Sequence, residues 1–156
     1  MNTTAKPLSP LQAVLIAGLL AGSIEVIWIA VMSPLMQLDG WEVSRQISGV
    51  FFSLPASAAA TSGLLIHYLL SLLITWFFYP LWQHIARRSF GVSVLFGIAL
   101  LSLLWAANFL LLLPALNPYF VTALPLSVTW MSKVLFGVAM SLSLQHSIKR
   151  QQQLIA

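Results

Sequence analysis

Residues 11–35 read LQAVLIAGLLAGSIEVIWIAVMSPL, and this stretch decides the fold. Its one charged side chain is Glu25. A helix needs about 20 apolar residues to cross ~30 Å of hydrocarbon, and this run is long enough. Strands of a membrane barrel alternate apolar and polar residues, which these residues do not. The pattern predicts a transmembrane helix. We expect it to be retained rather than cleaved as a signal peptide, because it is too long and contains Glu25.

Three more apolar stretches follow the first, each ended by proline or polar residues. Lipid offers no hydrogen-bond partner to the backbone, so such stretches must be helical. The sequence therefore predicts an all-α, polytopic membrane protein with one transmembrane domain, residues 1–156, built as a four-helix bundle. The expected helices cover about 11–35, 57–82, 91–113 and 121–145.

Composition excludes most other classes of protein. Of the 156 residues, 60% are hydrophobic and 6% are charged, whereas charged residues usually make up about 25%. Mean hydropathy is +0.94. Three acidic and seven basic side chains cannot cover the surface of a soluble enzyme, a nucleic-acid-binding module or a disordered chain. The absence of cysteine excludes a disulfide scaffold and thiolate chemistry.

The distribution of basic residues predicts the orientation. With four spans, the two termini and the 83–90 connection share one side of the membrane. That side carries five basic residues, Lys6, Arg87, Arg88, Lys149 and Arg150, and the other carries Arg45 with Asp39 and Glu42. Because cytoplasmic loops are enriched in Lys and Arg, we expect both termini to lie in the cytoplasm, and the protein to reside in a bacterial inner membrane.

The connection between the first two predicted helices, residues 37–56, is long, and its second half is apolar but too short to span. We expect an interfacial helix or a partly re-entrant stretch over about 43–52, with a plain loop resting on the bilayer as the alternative. The connection at 116–119 contains Asn and Pro but no charge, which predicts a tight turn.

Four polar residues fall inside the predicted spans at similar depth: Glu25, His67, Asn108 and Lys133. A charge at mid-bilayer costs about 2.5–3.5 kcal/mol, so these groups should face other helices. The simplest arrangement is an ion pair between Glu25 and Lys133, with His67 accepting a hydrogen bond from Lys133 or donating one to Glu25.

Small residues predict which faces meet. Gly18 and Gly22 share a helix face with Glu25, while Gly63 lies four residues before His67 and Gly137 four residues after Lys133. Such stripes let helices approach closely. Packing them together would enclose a polar network, which either fixes helix register or serves as a titratable relay or solute pathway.

No cofactor is expected. His67 is the single histidine at membrane depth, which leaves a haem in the core without a second ligand. His84 and His146 fall near one boundary, and together they form the alternative haem or metal pair. No zinc-protease, nucleophile-elbow, P-loop or dinucleotide motif occurs.

Four short motifs invite comparison with a known group: GLLAG at 18–22, WEVSRQIS at 41–48, GLLIHY at 63–68 and LPALNPY at 113–119. With these the chain resembles small, functionally uncharacterised bacterial inner-membrane proteins of four helices. The resemblance implies a fold and a location, and no activity. Where such proteins often carry a histidine in the last helix, this chain has Lys133.

We expect a non-enzymatic membrane protein that acts by packing, either as an accessory subunit of a larger assembly or as a homo-oligomer. Its partners would be the lipid bilayer and membrane subunits or further copies of itself, and no nucleic acid. The alternative is a small proton, ion or solute transporter or channel that uses the Glu25, His67 and Lys133 cluster.

Overall fold

The computed structural model describes residues 8–85 and 88–155, with side chains to Lys149. Lys6, Arg87 and the Arg150 side chain, which enter the orientation argument, lie outside this part. Within it the regular structure is helical, without a strand. The elements are α1 (Pro10–Leu35), α2 (Glu42–Gly49), α3 (Ala56–Ile85), α4 (Phe90–Ala107), a π-helical segment (Asn108–Leu112), α5 (Leu113–Leu116), α6 (Pro118–Ala123) and α7 (Leu126–Ile155).

Four of the described helices are long and apolar enough to cross a membrane: Pro10–Leu35, Ala56–Ile85, the continuous Phe90–Leu116 and Leu126–Lys149. The start of α1 is set locally by a capping box. The Ser9 hydroxyl accepts from the Gln12 amide at 3.2 Å, and the Gln12 side chain accepts from the Ser9 amide at 2.9 Å. Pro10 occupies the first turn, where its missing N–H costs nothing.

Prolines do not end the helices where the sequence suggested. Pro34 and Pro80 lie inside α1 and α3, so α3 continues to Ile85 instead of ending near residue 82. Pro114 is the second residue of α5, which begins directly after the π-helical segment. A proline cannot donate its backbone hydrogen bond and clashes with the carbonyl four residues earlier. The wider π turn lets the third long helix continue to Leu116.

The fourth long helix begins later than expected, at Leu126 instead of about residue 121. Residues 118–123 form the separate short helix α6, and Asn117 caps it by accepting from the Phe120 amide at 3.2 Å. Leu124 is then extended, because the residue before a proline is pushed out of the helical region, and Pro125 follows. The predicted tight turn at 116–119 is thus a break between two short helices.

The four long helices pack in the order α3, α1, α7, α4. The most extensive contacts join α7 to α1 and to α4, and α3 packs on α1, whereas α3 and α4 hardly touch. The closest approach is between α4 and α7. A Cβ added at Gly97 would lie 2.6 Å from the Gly137 carbonyl oxygen, and one at Gly137 equally near the Gly97 carbonyl oxygen. The bundle is therefore open between α3 and α4 towards the α2-bearing end, whereas at the opposite end Trp82 of α3 packs against Phe96 of α4, with ring centroids 4.9 Å apart.

The short helices α2 and α6 cover one end of the bundle, which we call the α2 end. Here α2 packs on α3, and its Ser44 hydroxyl donates to the Ala60 carbonyl at 2.5 Å. Gly63 permits this contact, because a Cβ there would overlap the Ser44 carbonyl. A short helix, Glu42–Gly49, is observed where an interfacial helix or a partly re-entrant stretch was expected over about 43–52. A second apolar cluster beneath it is built around Phe109, Leu113 and Phe120.

Candidate functional site

The centre of the site is an ion pair between α1 and α7. Glu25 is only 7% exposed, and its Oε1 accepts from the ammonium of Lys133. The Ser132 hydroxyl lies 3.0 Å from the same carboxylate oxygen and 2.7 Å from the Thr129 carbonyl, and its single hydrogen serves one of them at a time. Within the described chain, Oε2 of Glu25 has no hydrogen-bond partner. The pair joins the two central helices of the bundle.

His67 lies beside this pair but does not bond to it, contrary to the sequence hypothesis. Its Nε2 is 3.1 Å from the backbone carbonyl of Gly22. Because a carbonyl only accepts, Nε2 carries the hydrogen and Nδ1 of the neutral ring is left as an acceptor. Gly22 is one turn before Glu25 on α1, so the imidazole is held within the same neighbourhood as the carboxylate.

A cavity of about 460 Å³ runs from this cluster towards the α2 end. Glu25, His67, Asn108 and Lys133 all line it, so the four polar residues expected at one depth share one space. The remaining wall is largely apolar, and every helix from α1 to α7 contributes to it. A second cavity of about 320 Å³ lies between α1, α2 and α3, and Glu25 and His67 line this one as well.

Asn108 occupies the first position of the π-helical segment. Its side chain makes no hydrogen bond within the described residues, so it is a wall of the cavity and not a member of the ion-pair cluster. We attribute the π turn to Pro114, six residues after Asn108. The apolar sequence pattern does not reveal this turn.

The helix α2 forms a lid over both cavities. Its apolar residues Val43 and Ile47 line them. Gln46 ties it to the break before α6, where the Asn117 amide donates to the Gln46 side-chain oxygen at 3.0 Å. The lid is thus held on α3 at one side and at Asn117 on the other.

The solvent side of α2 carries the outer charge cluster, which consists of Asp39, Glu42 and Arg45. Arg45 donates to Asp39 at 2.6 Å and to Glu42 at 2.9 Å. The hydrogen bond from Arg45 lowers the pKa of Asp39. Hydrogen bonds from Gln46 and then Arg45 lower the pKa of Glu42. Both carboxylates are therefore charged at neutral pH, and the arginine at this end is neutralised.

The glycine stripes meet different partners from those expected. Gly18 and Gly22 face α3, at Leu72 and Ser71. Gly63 instead faces the lid α2, and Gly137 faces Gly97 of α4. The stripes thus serve three separate interfaces and do not converge on one seam.

The alternative haem or metal pair, His84 and His146, lies on α3 and α7. Both side chains are exposed, and Nδ1 of His84 donates to the Pro80 carbonyl at 2.9 Å, an ordinary contact within α3. Among the residues that the structure describes, no group of three or more histidine, aspartate or glutamate side chains could hold a metal ion.

Several residues of the site were missed from the sequence. Ser132 was passed over because serine is common in the apolar runs, although it directly precedes Lys133. Tryptophans also fasten α7 at this end: Trp28 donates to the Val128 carbonyl and Trp105 to the Thr129 hydroxyl, both at 3.0 Å. Trp28 lies three residues after Glu25, and Trp105 three residues before Asn108. Residues three apart share a helix face, so this spacing could have placed both tryptophans near these polar residues.

Comparison with known proteins adds no relative. No family model, no curated protein and no solved structure matches this chain. The resemblance to small four-helix inner-membrane proteins therefore stays an expectation, and the site must be interpreted from its own chemistry.

Proposed function

We propose that this chain is a multi-pass integral protein of a bacterial cytoplasmic membrane. The observation that carries the proposal is the outer surface of the four long helices, where large apolar side chains stand exposed. Phe77 is 75% exposed and Leu103 68%. Exposing such surface to water costs roughly 25 cal/mol per Å², a cost that lipid removes. The two charges of the long helices that lie farthest from their ends, Glu25 and Lys133, point at each other.

Both termini are proposed to be cytoplasmic. Arg88 and Lys149 lie at the end of the bundle opposite α2, and the sequence adds Lys6, Arg87 and Arg150 to that side. At the α2 end the outer charge cluster balances Arg45 with two carboxylates. The bias towards one side matches cytoplasmic loops.

Reporter fusions test this topology. A fluorescent protein that matures only in the cytoplasm should be bright at the C-terminus and dark when inserted after Ser53. A phosphatase active only outside the cytoplasm should give the reverse pattern. A bright signal at both positions, or at neither, would contradict the proposed arrangement.

The protein is further proposed to act without catalysing a reaction, as an accessory subunit of a membrane assembly or as a homo-oligomer. The described residues form helices and short connections, which leave little room for a separate catalytic domain. In this role the ion pair fixes α1 against α7, as buried polar groups do when they specify register. Extraction in a mild detergent followed by native mass spectrometry should give a stoichiometric partner or a defined oligomer. A lone monomer under all mild conditions would contradict this role.

A transporter or channel is the second candidate, and one observation favours it. Glu25, His67 and Lys133 line one cavity, an arrangement typical of intramembrane pathways. Proteoliposomes with an internal pH dye would test it. The candidate requires proton flux that is lost in Glu25→Gln and retained in Glu42→Gln, the same chemical change at the lid. If vesicles with the wild-type protein show no more proton flux than vesicles without protein, proton conduction is excluded.

A further inference from the structure

The larger cavity opens sideways, between the two long helices that hardly touch. Four residues line the cavity and are at the same time exposed on the outer surface, and they mark its mouth: Phe51, Leu70, Leu112 and Leu116. Leu70 belongs to α3, and the two other leucines to the end of the third long helix. Every one of these side chains is apolar. A molecule that enters here passes through hydrocarbon-like surface and does not come directly from water.

The inner end of the cavity is polar. Lys133 has three donors, and among described residues only Glu25 engages its ammonium. Its side chain is 24% exposed, so it is accessible from the cavity it lines. His67 adds an acceptor, because its Nε2 bonds to Gly22 and no described residue bonds to its Nδ1. The inner end therefore offers donors and an acceptor a short distance from the apolar wall.

Charge and size narrow the ligand class. The Lys133 ammonium is already neutralised by the Glu25 carboxylate, so a charged head group would lack a counter-ion at this depth. A volume of about 460 Å³ falls within the 300–1,000 Å³ typical of small-molecule sites. It suits one alkyl chain with a compact head, and not a two-chain phospholipid with its charged head group.

We infer that this cavity binds a neutral, single-chain amphiphile from the bilayer, with its carbonyl- or hydroxyl-bearing head at Lys133 and His67 and its tail in the α3–α4 mouth. The head would accept from the ammonium and donate to Nδ1 of the imidazole. The inference rests on the proposed membrane insertion. It adds a ligand class that either the packing role or the transport role could use.

A photoreactive monoacylglycerol, with a diazirine in its chain, is the probe. The full-length protein is reconstituted in phosphatidylcholine vesicles that contain a small fraction of the probe, irradiated, and digested for mass spectrometry. Labelling should concentrate on cavity residues such as Ile74 and Phe136, and an excess of unlabelled monoolein should reduce it at least tenfold. Glycerol in the surrounding water should not compete, because the head alone cannot enter through an apolar mouth.

Two neighbouring leucines supply a matched pair of variants. Leu104 lines the cavity, whereas Leu103 is 68% exposed on the other face of α4. Leu104→Trp should fill the cavity and reduce labelling at least tenfold, while Leu103→Trp should leave it unchanged. His67→Phe keeps a ring but removes the acceptor and should reduce labelling several-fold.

The outcomes separate this inference from the proposed insertion. If topology reporters confirm the four spans but labelling is spread evenly over all outward faces and is equal in the two tryptophan variants, the ligand site is wrong and the insertion stands. If the reporters contradict the spans, the proposed insertion fails first. Equal labelling by a diazirine alkane without a head group would show that the polar end plays no part in binding.

Discussion

Removal of one member of the Glu25–Lys133 pair should cost far more stability than removal of both. The carboxylate is buried and the lysine side chain is 24% exposed, towards a mostly apolar cavity. Among the described residues, Lys133 left alone has no other carboxylate in this cavity, and Glu25 left alone has only the imidazole of His67 nearby. Breaking a buried pair costs about 3–5 kcal/mol, whereas replacing both charges is often nearly neutral. Because Lys133 is partly exposed, we expect Glu25→Gln to lower the free energy of unfolding by about 3 kcal/mol, the lower end of this range.

The assay is the free energy of unfolding in mixed micelles of dodecyl maltoside and SDS, measured for wild type, Glu25→Gln, Lys133→Met and the double variant. We expect a coupling energy of at least about 3 kcal/mol between the two positions. The matched control is the cycle of Glu42→Gln and Arg45→Met in the outer charge cluster, where solvent screens the pair and coupling should be several-fold smaller.

Two results would refute the reasoning. If both single variants unfold at the wild-type free energy, the pair does not hold α1 against α7. If the two single losses simply add in the double variant, the charges do not interact in the folded protein, whatever their separation. A coupling as large at Glu42 and Arg45 would show that the micelle, and not burial, sets the effect.

Other consequences concern the helix contacts and the lid. Gly97→Val should force α4 from α7 and lower the free energy of unfolding by about 1–3 kcal/mol, whereas Gly91→Val, which meets nothing within 4 Å, should cost much less in the same micelle assay. Gly63→Val should lift α2 from α3, so that a Ser48→Cys reporter, buried in the wild-type lid, reacts at least fivefold faster with an impermeant maleimide; an unchanged rate would mean that α2 is held elsewhere. In the outer charge cluster the carboxyl pKa values are lowered by folding, so their contribution is complete above the ordinary carboxyl range and is lost as the pH falls below about 4. The same cysteine reporter should therefore react faster at pH 3.5 than at pH 6 after correction for thiolate content, and a flat corrected rate would contradict the role of the cluster.

The helices themselves could be predicted well from the sequence because each one depends on local chemistry. Long apolar runs satisfy their backbone hydrogen bonds only as helices. The first two predicted helices, 11–35 and 57–82, therefore begin and end within three residues of α1 and α3. The fourth long helix begins at Leu126 and not near residue 121, because Pro125 requires an extended residue before it. The apolar residues at 121–125 had suggested a continuous helix.

Contacts between helices were predicted less well, since they depend on how each helix is rotated in the bundle. Glu25 and Lys133 could be paired in advance, because they are the two opposite charges in the middle of apolar runs and each needs the other. The sequence allowed His67 to bond to either Glu25 or Lys133, and in the structure it bonds to the carbonyl of Gly22. A carbonyl is present at every residue, so no residue type marks that choice.

The sequence by itself determined that the chain forms long apolar helices, that the α2 segment is too short to be one of them, and that two opposite charges must meet inside. These properties follow from residue types and run lengths, which act locally. Only the tertiary structure decided that α3 and α4 stay apart, that Gly63 receives the lid, and that the polar cluster faces a cavity with an apolar mouth. Those features depend on the rotation and spacing of helices distant in sequence, which many near-equal apolar contacts determine together.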